Sequence, residues 1–257
     1  MHPQLLRFGD FFIPSYGVLV TLGFLAGVWL SMRLAKRRGL DPEAVLNLAI
    51  SCALAGIIGA KLLMIGLDWS YYRQNPREIF SLSTLQSGGV FYGGLLLALA
   101  TAWVFLRRSK LPALETADVL APGVALGHAI GRVGCFTAGC CWGVSTRLPW
   151  AVTFRDPAAN RLFGTPLDVP LHPTQLYEAG AEAAICAILL RRFSHARRGG
   201  EIVGLYLVLY SSARFLVEFV RQQDHMNPFD GPFTAAQWIA LALLAAGVWL
   251  LLRKREG

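Results

Sequence analysis

Two polar clusters interrupt segments that are otherwise apolar enough to cross a bilayer. The first is His128-Ala129-Ile130-Gly131-Arg132, running into Gly134-Cys135-Phe136-Thr137-Ala138-Gly139-Cys140-Cys141-Trp142-Gly143. The second is Arg214-Phe215-Leu216-Val217-Glu218-Phe219-Val220-Arg221. A charge at the centre of a membrane helix costs about 2.5–3.5 kcal/mol even on the gentlest scale, so it persists mainly with a partner or a task. Two such arginines point to an anion bound at membrane depth, and the commonest anion there is a phospholipid head group. Arg132 can grip a phosphate with two prongs. The plainer alternative is an arginine snorkelling from a helix end. Arg214 and Glu218 are four residues apart and project from one helical face, with Arg221 expected on that face one turn later. The Arg214–Glu218 pair is either a purely structural ion pair or one that leaves guanidinium donors for a ligand.

The elements that must position these groups are membrane helices. The chain is 54% hydrophobic and only 16% charged, where soluble domains carry about 25% charged residues. About 20 mostly apolar residues cross a bilayer. Seven segments meet that description, at roughly 13–32, 44–67, 88–106, 114–132, 175–190, 202–220 and 234–252. The expected fold is therefore an all-α membrane protein, a single domain over residues 1–257. The net charge of +8 would suit nucleic acid, but the basic residues cluster between alternate spans. The clusters are Arg33, Lys36, Arg37 and Arg38; Arg107, Arg108 and Lys110; Arg191, Arg192, Arg197 and Arg198; and Arg253, Lys254 and Arg255. Positive charge marks the cytoplasmic side. The N-terminus is thus expected outside and the C-terminus inside, with membrane lipids as contacts and no nucleic acid. No A-x-A-like cleavage site follows the first span, so that span is expected to stay. Gly23 with Gly27, and Gly56 with Gly59, read as helix-packing faces.

Two stretches outside the spans are expected to form caps on the outer side, at about 68–87 and 133–174. The second is long and proline-rich, and loops of that length are usually functional or disordered. Trp150-Ala151-Val152-Thr153-Phe154 alternates as a strand does, which predicts an ordered cap. Three tyrosines stand at informative places. Tyr16 follows Pro14-Ser15 at the outer start of the first span, and Tyr210 lies one turn before Arg214. Tyr92 sits in Gly88-Gly89-Val90-Phe91-Tyr92-Gly93-Gly94, where glycines permit a tight turn or a close backbone approach.

These residues resemble a known family. His172-Pro173-Thr174-Gln175-Leu176-Tyr177-Glu178 is similar to the His-Pro-Ser-Gln-Leu-Tyr-Glu segment of the phosphatidylglycerol–prolipoprotein diacylglyceryl transferases. Gly131-Arg132-Val133-Gly134-Cys135-Phe136 through Trp142-Gly143 resembles that family's Gly-Arg-x-Gly-Asn-Phe block. Arg214-Phe215 with Glu218, Phe219 and Arg221-Gln222 resembles its sixth-helix block, and Phe233 to Trp238 the start of its last helix. The resemblance implies transfer of the diacylglyceryl unit of phosphatidylglycerol to the thiol of a lipobox cysteine, forming a thioether and releasing glycerol phosphate. It implies prolipoprotein signal peptides as partners and the bacterial cytoplasmic (inner) membrane as location. Arg132 and Arg214 would hold the lipid phosphate, and Tyr16, Gly143, Tyr210 and Glu218 would belong to the site. Two arginines can stabilise a phosphate leaving group where its charge develops, so neither a cofactor nor a metal is expected.

The departures from the family pattern concern the proton acceptor. Cys135, Ala138 and Cys140 stand where the family has two asparagines and a glutamate. Tyr92 replaces the histidine before a Gly-Gly pair, here Gly93-Gly94; both Tyr92 and Gly93 remain candidate site residues. The thiolate is the nucleophile in such chemistry, while a phenol of reference pKa near 10 is a poor base at neutral pH. His128, four residues before Arg132 on the same face, is the best local substitute. His172 is the other candidate base and a candidate substrate contact. Cys52 and Cys186 lie in apolar spans and read as packing residues. Cys135, Cys140 and Cys141 fall on the expected oxidising side, so a disulfide from Cys135 to Cys140 or Cys141 is the structural expectation. A metal site lacks the usual C-x-x-C pair, and a lipid-carrying thiol is a third reading. The rival functions are a relative with another thiol acceptor or lipid donor, a membrane thiol–disulfide oxidoreductase, and a transporter. The last lacks any inverted repeat.

Overall fold

The computed structural model describes residues 4–8, 11–81, 84, 89–222 and 231–253. Gly88, Lys254 and Arg255, and much of the end of the expected 68–87 cap, lie outside the described residues. The chain forms two compact units, one made of Met1–Leu34 with Ala117–Gly257 and the other of Ala35–Thr116.

In the first unit, a two-stranded antiparallel hairpin of β1 (Gln4–Phe8) and β2 (Phe11–Pro14) precedes helix α1 (Ser15–Arg37). In the second unit, α2 (Pro42–Leu67) starts on the Asp41 cap, whose carboxylate accepts from the Glu43 amide at 3.0 Å. Pro42 at the first helical position is pre-set for that geometry. The short α3 (Trp69–Gln74) and a 3-10 turn (Pro76–Phe80) follow, and then α4 (Phe91–Arg108). α2 packs on α4 where Gly59 meets Gly93 and Gly56 meets Gly94. A Cβ on Gly94 would lie 2.7 Å from the Gly56 carbonyl. These glycines allow the close backbone approach that membrane helices use.

The remaining elements build the larger unit around the polar clusters. α5 (Ala113–Ala138) faces α1 through Gly23 against Gly127 and Gly27 against Gly123. It runs six residues beyond the boundary expected at residue 132, because Val133 to Ala138 all tolerate helix and the chain first breaks at Gly139 (φ +84°). Arg132 therefore sits inside the helix and not at its end. After α5 the chain forms β3 (Val152–Thr153), α6 (Pro157–Phe163) and β4 (Pro170–Leu171), with β3 and β4 antiparallel. The alternation at Trp150–Phe154 corresponds to the short strand Val152–Thr153. Phe154 is buried against Phe136 at a centroid distance of 6.2 Å.

α7 (Thr174–Phe193), α8 (Glu201–Val217) with its 3-10 extension Glu218–Val220, and α9 (Ala235–Leu252) complete the unit. Buried Asp118 on α5 caps α8, its carboxylate accepting from the amides of Gly200, Ile202 and Val203 at 2.9, 3.0 and 2.8 Å. α9 begins with a capping box of Thr234 and Gln237. Among the described residues, five helices are long and apolar enough to cross a membrane: α1, α2, α5, α8 with its extension, and α9. Of the seven expected spans, α4 ends on Arg107-Arg108 and α7 carries Glu178, Glu182, Arg191 and Arg192, so neither joins that set. α1, α4 and α9 carry the same pairing near their C-terminal ends. Arg33 lies over Trp29, Arg107 over Trp103 and Arg253 over Trp249, at 4.0, 5.8 and 5.8 Å from the ring centroids. Amphipathic rings and basic tips of this kind belong at a head-group boundary.

Candidate active site

Three helices each present a polar ladder with a spacing of four residues: His128 and Arg132 on α5, Glu178 and Glu182 on α7, and Tyr206, Tyr210 and Arg214 on α8, continued by Glu218 in its extension. Residues four apart lie one above another on a helix, and the packing turns the ladders toward each other. The result is a continuous chain of contacts. Glu182 Oε1 lies 2.7 Å from His128 Nδ1. Arg132 Nε donates to His128 Nε2 at 3.2 Å. Arg132 Nη2 lies 2.5 Å from Glu178 Oε2, and Glu178 Oε1 lies 3.9 Å from Arg214 Nη1. Arg214 Nη1 contacts Glu218 Oε2 at 2.7 Å, and the Thr234 hydroxyl donates to Glu218 Oε1 at 3.0 Å. Charges taken out of water are tolerated when paired and hydrogen-bonded, and this network pairs both arginines.

The network also fixes the histidine tautomer. A guanidinium has donors only, so Nε2 of His128 accepts and its proton sits on Nδ1, donated to Glu182. His128, the local candidate for general base, thus has its lone pair committed to Arg132. Its position makes it an orienting group for Arg132. Neither contact of Arg132 uses Nη1.

Arg132 faces a cleft of about 550 Å³, lined by Tyr16, His128, Arg132, Cys135, Cys140 and Cys141 among others. Small-molecule sites usually span about 300–1,000 Å³. Arg214 and Tyr210 lie elsewhere in the network, beside a narrow void with Glu178 and Glu182 that holds about 10 Å³. The Tyr210 ring stacks on Tyr206 at 5.7 Å and sits 5.8 Å from His128. Arg214 thus joins the site through Glu178, while Arg132 meets the open space directly. Arg221 does not continue the Arg214 face. The helix ends before it, its backbone is extended, and it bridges to Gly143.

Gly143 is held between chain segments. Its amide donates to the His172 carbonyl at 3.0 Å, and the Val144 amide donates to Val220 at 2.9 Å. A Cβ there would lie 2.5 Å from the Val220 carbonyl and 2.6 Å from His172 Cβ. The position needs glycine for close approach, which makes it a joint between the 142–144 and 218–222 segments. His172 Nδ1 lies 3.1 Å from the Tyr177 hydroxyl, which also accepts from the Trp150 indole at 2.8 Å. These three side chains tie the 150–172 segment to α7. Tyr92 and Gly93 belong to the Ala35–Thr116 unit, where Gly93 packs against Gly59 and Tyr92 is half exposed.

All five cysteines are free thiols, where a disulfide from Cys135 to Cys140 or Cys141 was expected. The proximity behind that expectation is present: the three sulfurs lie within 4.8 Å of one another. α5 carries Cys135 to the cleft, and the reversal at Gly139 and Cys141 (φ +84° and +60°) brings the other two back. Cys141 lies beyond the helix. Hydrogen bonds from the Cys135 and Cys140 thiols hold its thiol below the usual range, and the charges of Arg221 and Arg132 act in the same sense.

Three working residues escaped the sequence reading. Glu178 appears there only as a motif letter, and Glu182 and Asp118 not at all. Glu178 and Glu182 form an acidic pair four residues apart in a segment expected to span the membrane, which is itself a functional signal. Nothing local marks Asp118, whose partners lie more than eighty residues away.

The fold and site define a multi-pass, mostly helical membrane protein with a carboxylate–arginine network beside a thiol-lined cleft. Residues 3–253 match the family model described as prolipoprotein diacylglyceryl transferase. The chain is similar to the phosphatidylglycerol–prolipoprotein diacylglyceryl transferase of Clostridium tetani, at 33% identity over 97% of this chain and 96% of that one. It is likewise similar to those of Nitratidesulfovibrio vulgaris (35%; 98% and 94%) and Gloeobacter violaceus (34%; 98% and 93%). This chain belongs to the prolipoprotein diacylglyceryl transferase family.

Proposed function

We propose that this protein transfers the diacylglyceryl group of phosphatidylglycerol to the thiol of a lipobox cysteine in an exported precursor. The observation that carries this reading is Arg132, held by His128 and Glu178 with Nη1 left over, on the wall of a cleft large enough for a lipid head group. In the reaction the cysteine sulfur attacks the glyceryl carbon bonded to phosphate. The carbon–sulfur bond forms, the carbon–oxygen bond breaks, and glycerol phosphate leaves with the electron pair. The phosphate passes from one negative charge to two. A preorganised guanidinium stabilises that added charge. Arg132 supplies it directly. Arg214 and Glu218 act through Glu178, which both arginines share. Tyr16 lines the same cleft, and His172 supports it from behind through the Gly143 joint.

The same reading takes α4 and α7 as spans beside the five apolar helices, giving one seven-span membrane domain with its N-terminus outside. The basic ends of α1, α4, α7 and α9 support that orientation through the positive-inside tendency. Residues 133–174 then cap the outer face in the bacterial cytoplasmic membrane, where exported precursors present their signal peptides.

The test is reconstitution of the full chain in phosphatidylglycerol vesicles with a lipobox peptide bearing one cysteine. The expected products are a peptide heavier by one diacylglyceryl group and an equal amount of glycerol phosphate. Absence of both, or transfer only from a different phospholipid, would overturn the proposal. Growth of a bacterial strain depleted of its own transferase would check it in cells.

A further inference from the structure

The thiol cluster on the cleft wall has no task in the transfer described above. Its three sulfurs, from Cys135, Cys140 and Cys141, lie within 4.8 Å of one another, and they remain free thiols. The loop that carries two of them is held from behind. The Thr174 hydroxyl donates to the Cys141 carbonyl at 2.8 Å, and the Gln175 amide donates to the Cys140 carbonyl at 2.6 Å. Both clamping side chains belong to fully buried residues. Cys141 keeps a left-handed backbone (φ +60°), which is unfavourable for a residue other than glycine. A strained position of this kind persists only where its surroundings over-determine it.

We infer that Cys135, Cys140 and Cys141 bind one thiophilic divalent metal ion, of which zinc is the commonest, and that its fourth coordination position faces the cleft and takes the thiol of the acceptor cysteine. Zinc–sulfur bonds of about 2.3 Å in a tetrahedron set sulfurs about 3.8 Å apart. The observed cluster is within about 1 Å of that, a closure that side-chain rotation can supply. Three protein ligands with one open position are the pattern of a catalytic zinc, whereas structural sites close all four. The soft thiolate set favours zinc over magnesium or calcium. Four thiolates around a divalent ion carry a net charge of two minus. Arg132 on the same wall, and Arg221, which bridges to Gly143 two residues beyond Cys141, supply compensating positive charge.

The inference rests on the transferase reading and gives it the proton step that the occupied lone pair of His128 leaves open. A metal-bound thiol is deprotonated outright. As the metal–sulfur bond forms, the acceptor thiol gives its proton to water in the cleft. The bound sulfur attacks the phosphate-bearing glyceryl carbon, and the electron pair of the broken carbon–oxygen bond leaves with glycerol phosphate. The neutral thioether is a weak ligand and dissociates, which reopens the fourth position. No oxidant or reductant takes part.

Cobalt(II) is the probe. The full chain, purified in detergent under a phosphine reductant with its thiols counted as free, is titrated with cobalt(II) and its absorption recorded. The expected result is one equivalent bound with sulfur-to-cobalt charge-transfer and tetrahedral ligand-field bands. Cys135→Ser, Cys140→Ser and Cys141→Ser each weaken binding by at least about 10–100-fold, while Cys52→Ser and Cys186→Ser leave it unchanged. Adding a lipobox peptide shifts the bands, and its serine analogue does not. Absence of the charge-transfer band with reduced thiols would overturn the metal site. A band that the cysteine peptide leaves unmoved would overturn the thiol-binding role. Diacylglyceryl transfer at full rate by metal-free protein would sink the inference while leaving the proposed function standing. Metal and peptide binding without any transfer would do the reverse.

Discussion

Glu178→Gln is the most searching perturbation of the network, because among the described residues Glu178 is the one carboxylate shared by both arginines. Its side chain is only 6% exposed, with Oε2 at 2.5 Å from Arg132 and Oε1 at 3.9 Å from Arg214. The longer contact exceeds a hydrogen bond, and Arg214 keeps Glu218 at 2.7 Å. The loss therefore falls on Arg132. A hydrogen bond to a charged group contributes about 1.5–3 kcal/mol, and removing one partner of a buried ion pair costs about 3–5 kcal/mol. Glutamine is isosteric and its carbonyl can still accept from Arg132, but its amide then turns two donors toward Arg214. The lower part of the range applies, about 2–3 kcal/mol. At about 1.4 kcal/mol per tenfold, misplacement of Arg132 lowers kcat/KM by about 30- to 150-fold. The assay is thioether formation on a lipobox peptide in phosphatidylglycerol vesicles, alongside thermal unfolding of the same preparation. Unchanged or raised kcat/KM would refute the reasoning. It would mean that Glu178 competes with the lipid phosphate for Arg132, and that the pairing seen here is broken in catalysis.

Four further outcomes follow from the geometry. Arg132→Lys and Arg214→Lys each lose most activity while the protein still inserts, because lysine cannot bridge the two partners each guanidinium holds; near-normal thioether formation by either refutes that role. Gly143→Ala loses activity, since its Cβ meets the Val220 carbonyl at 2.5 Å and overpacking costs about 1–3 kcal/mol; wild-type turnover would show that the joint is loose. Asp118→Asn lowers the unfolding temperature in detergent by several degrees with KM unchanged, because three amides at the α8 N-terminus lose a charged acceptor; an unshifted transition would discount the cap. On a background lacking native cysteines, an impermeant thiol reagent applied outside labels Arg161→Cys and spares Ser109→Cys; the opposite pattern reverses the proposed orientation.

Much of the molecule could be read from residue order alone, for a physical reason. Membrane helices are specified by local composition, so α1, α2, α8 and α9 were located to within a few residues by their apolar runs. That Gly23 with Gly27, and Gly56 with Gly59, form packing faces followed from small residues at helical spacing, while their partners on α5 and α4 did not. Arg132, Arg214 and Glu218 announced themselves as charges in greasy surroundings, and spacing alone put Arg214 and Glu218 on one face. Helix ends were harder. Val133 to Ala138 suit helix and turn equally, and only the buried Phe136–Phe154 contact and the break at Gly139 settle where α5 stops. The same gap misjudged Arg221, whose extended backbone is set by pairing with Gly143. Partnership across the fold was invisible. Glu178 reaches Arg132 from 46 positions away and Glu182 reaches His128 from 54, and no local pattern encodes which ladder meets which. The sequence therefore determined that buried charges exist and on which helices they ride. Tertiary packing alone decided that His128 spends its lone pair on Arg132, that Arg132 opens on the cleft while Arg214 does not, and that three cysteines without a metal-binding motif converge on one point.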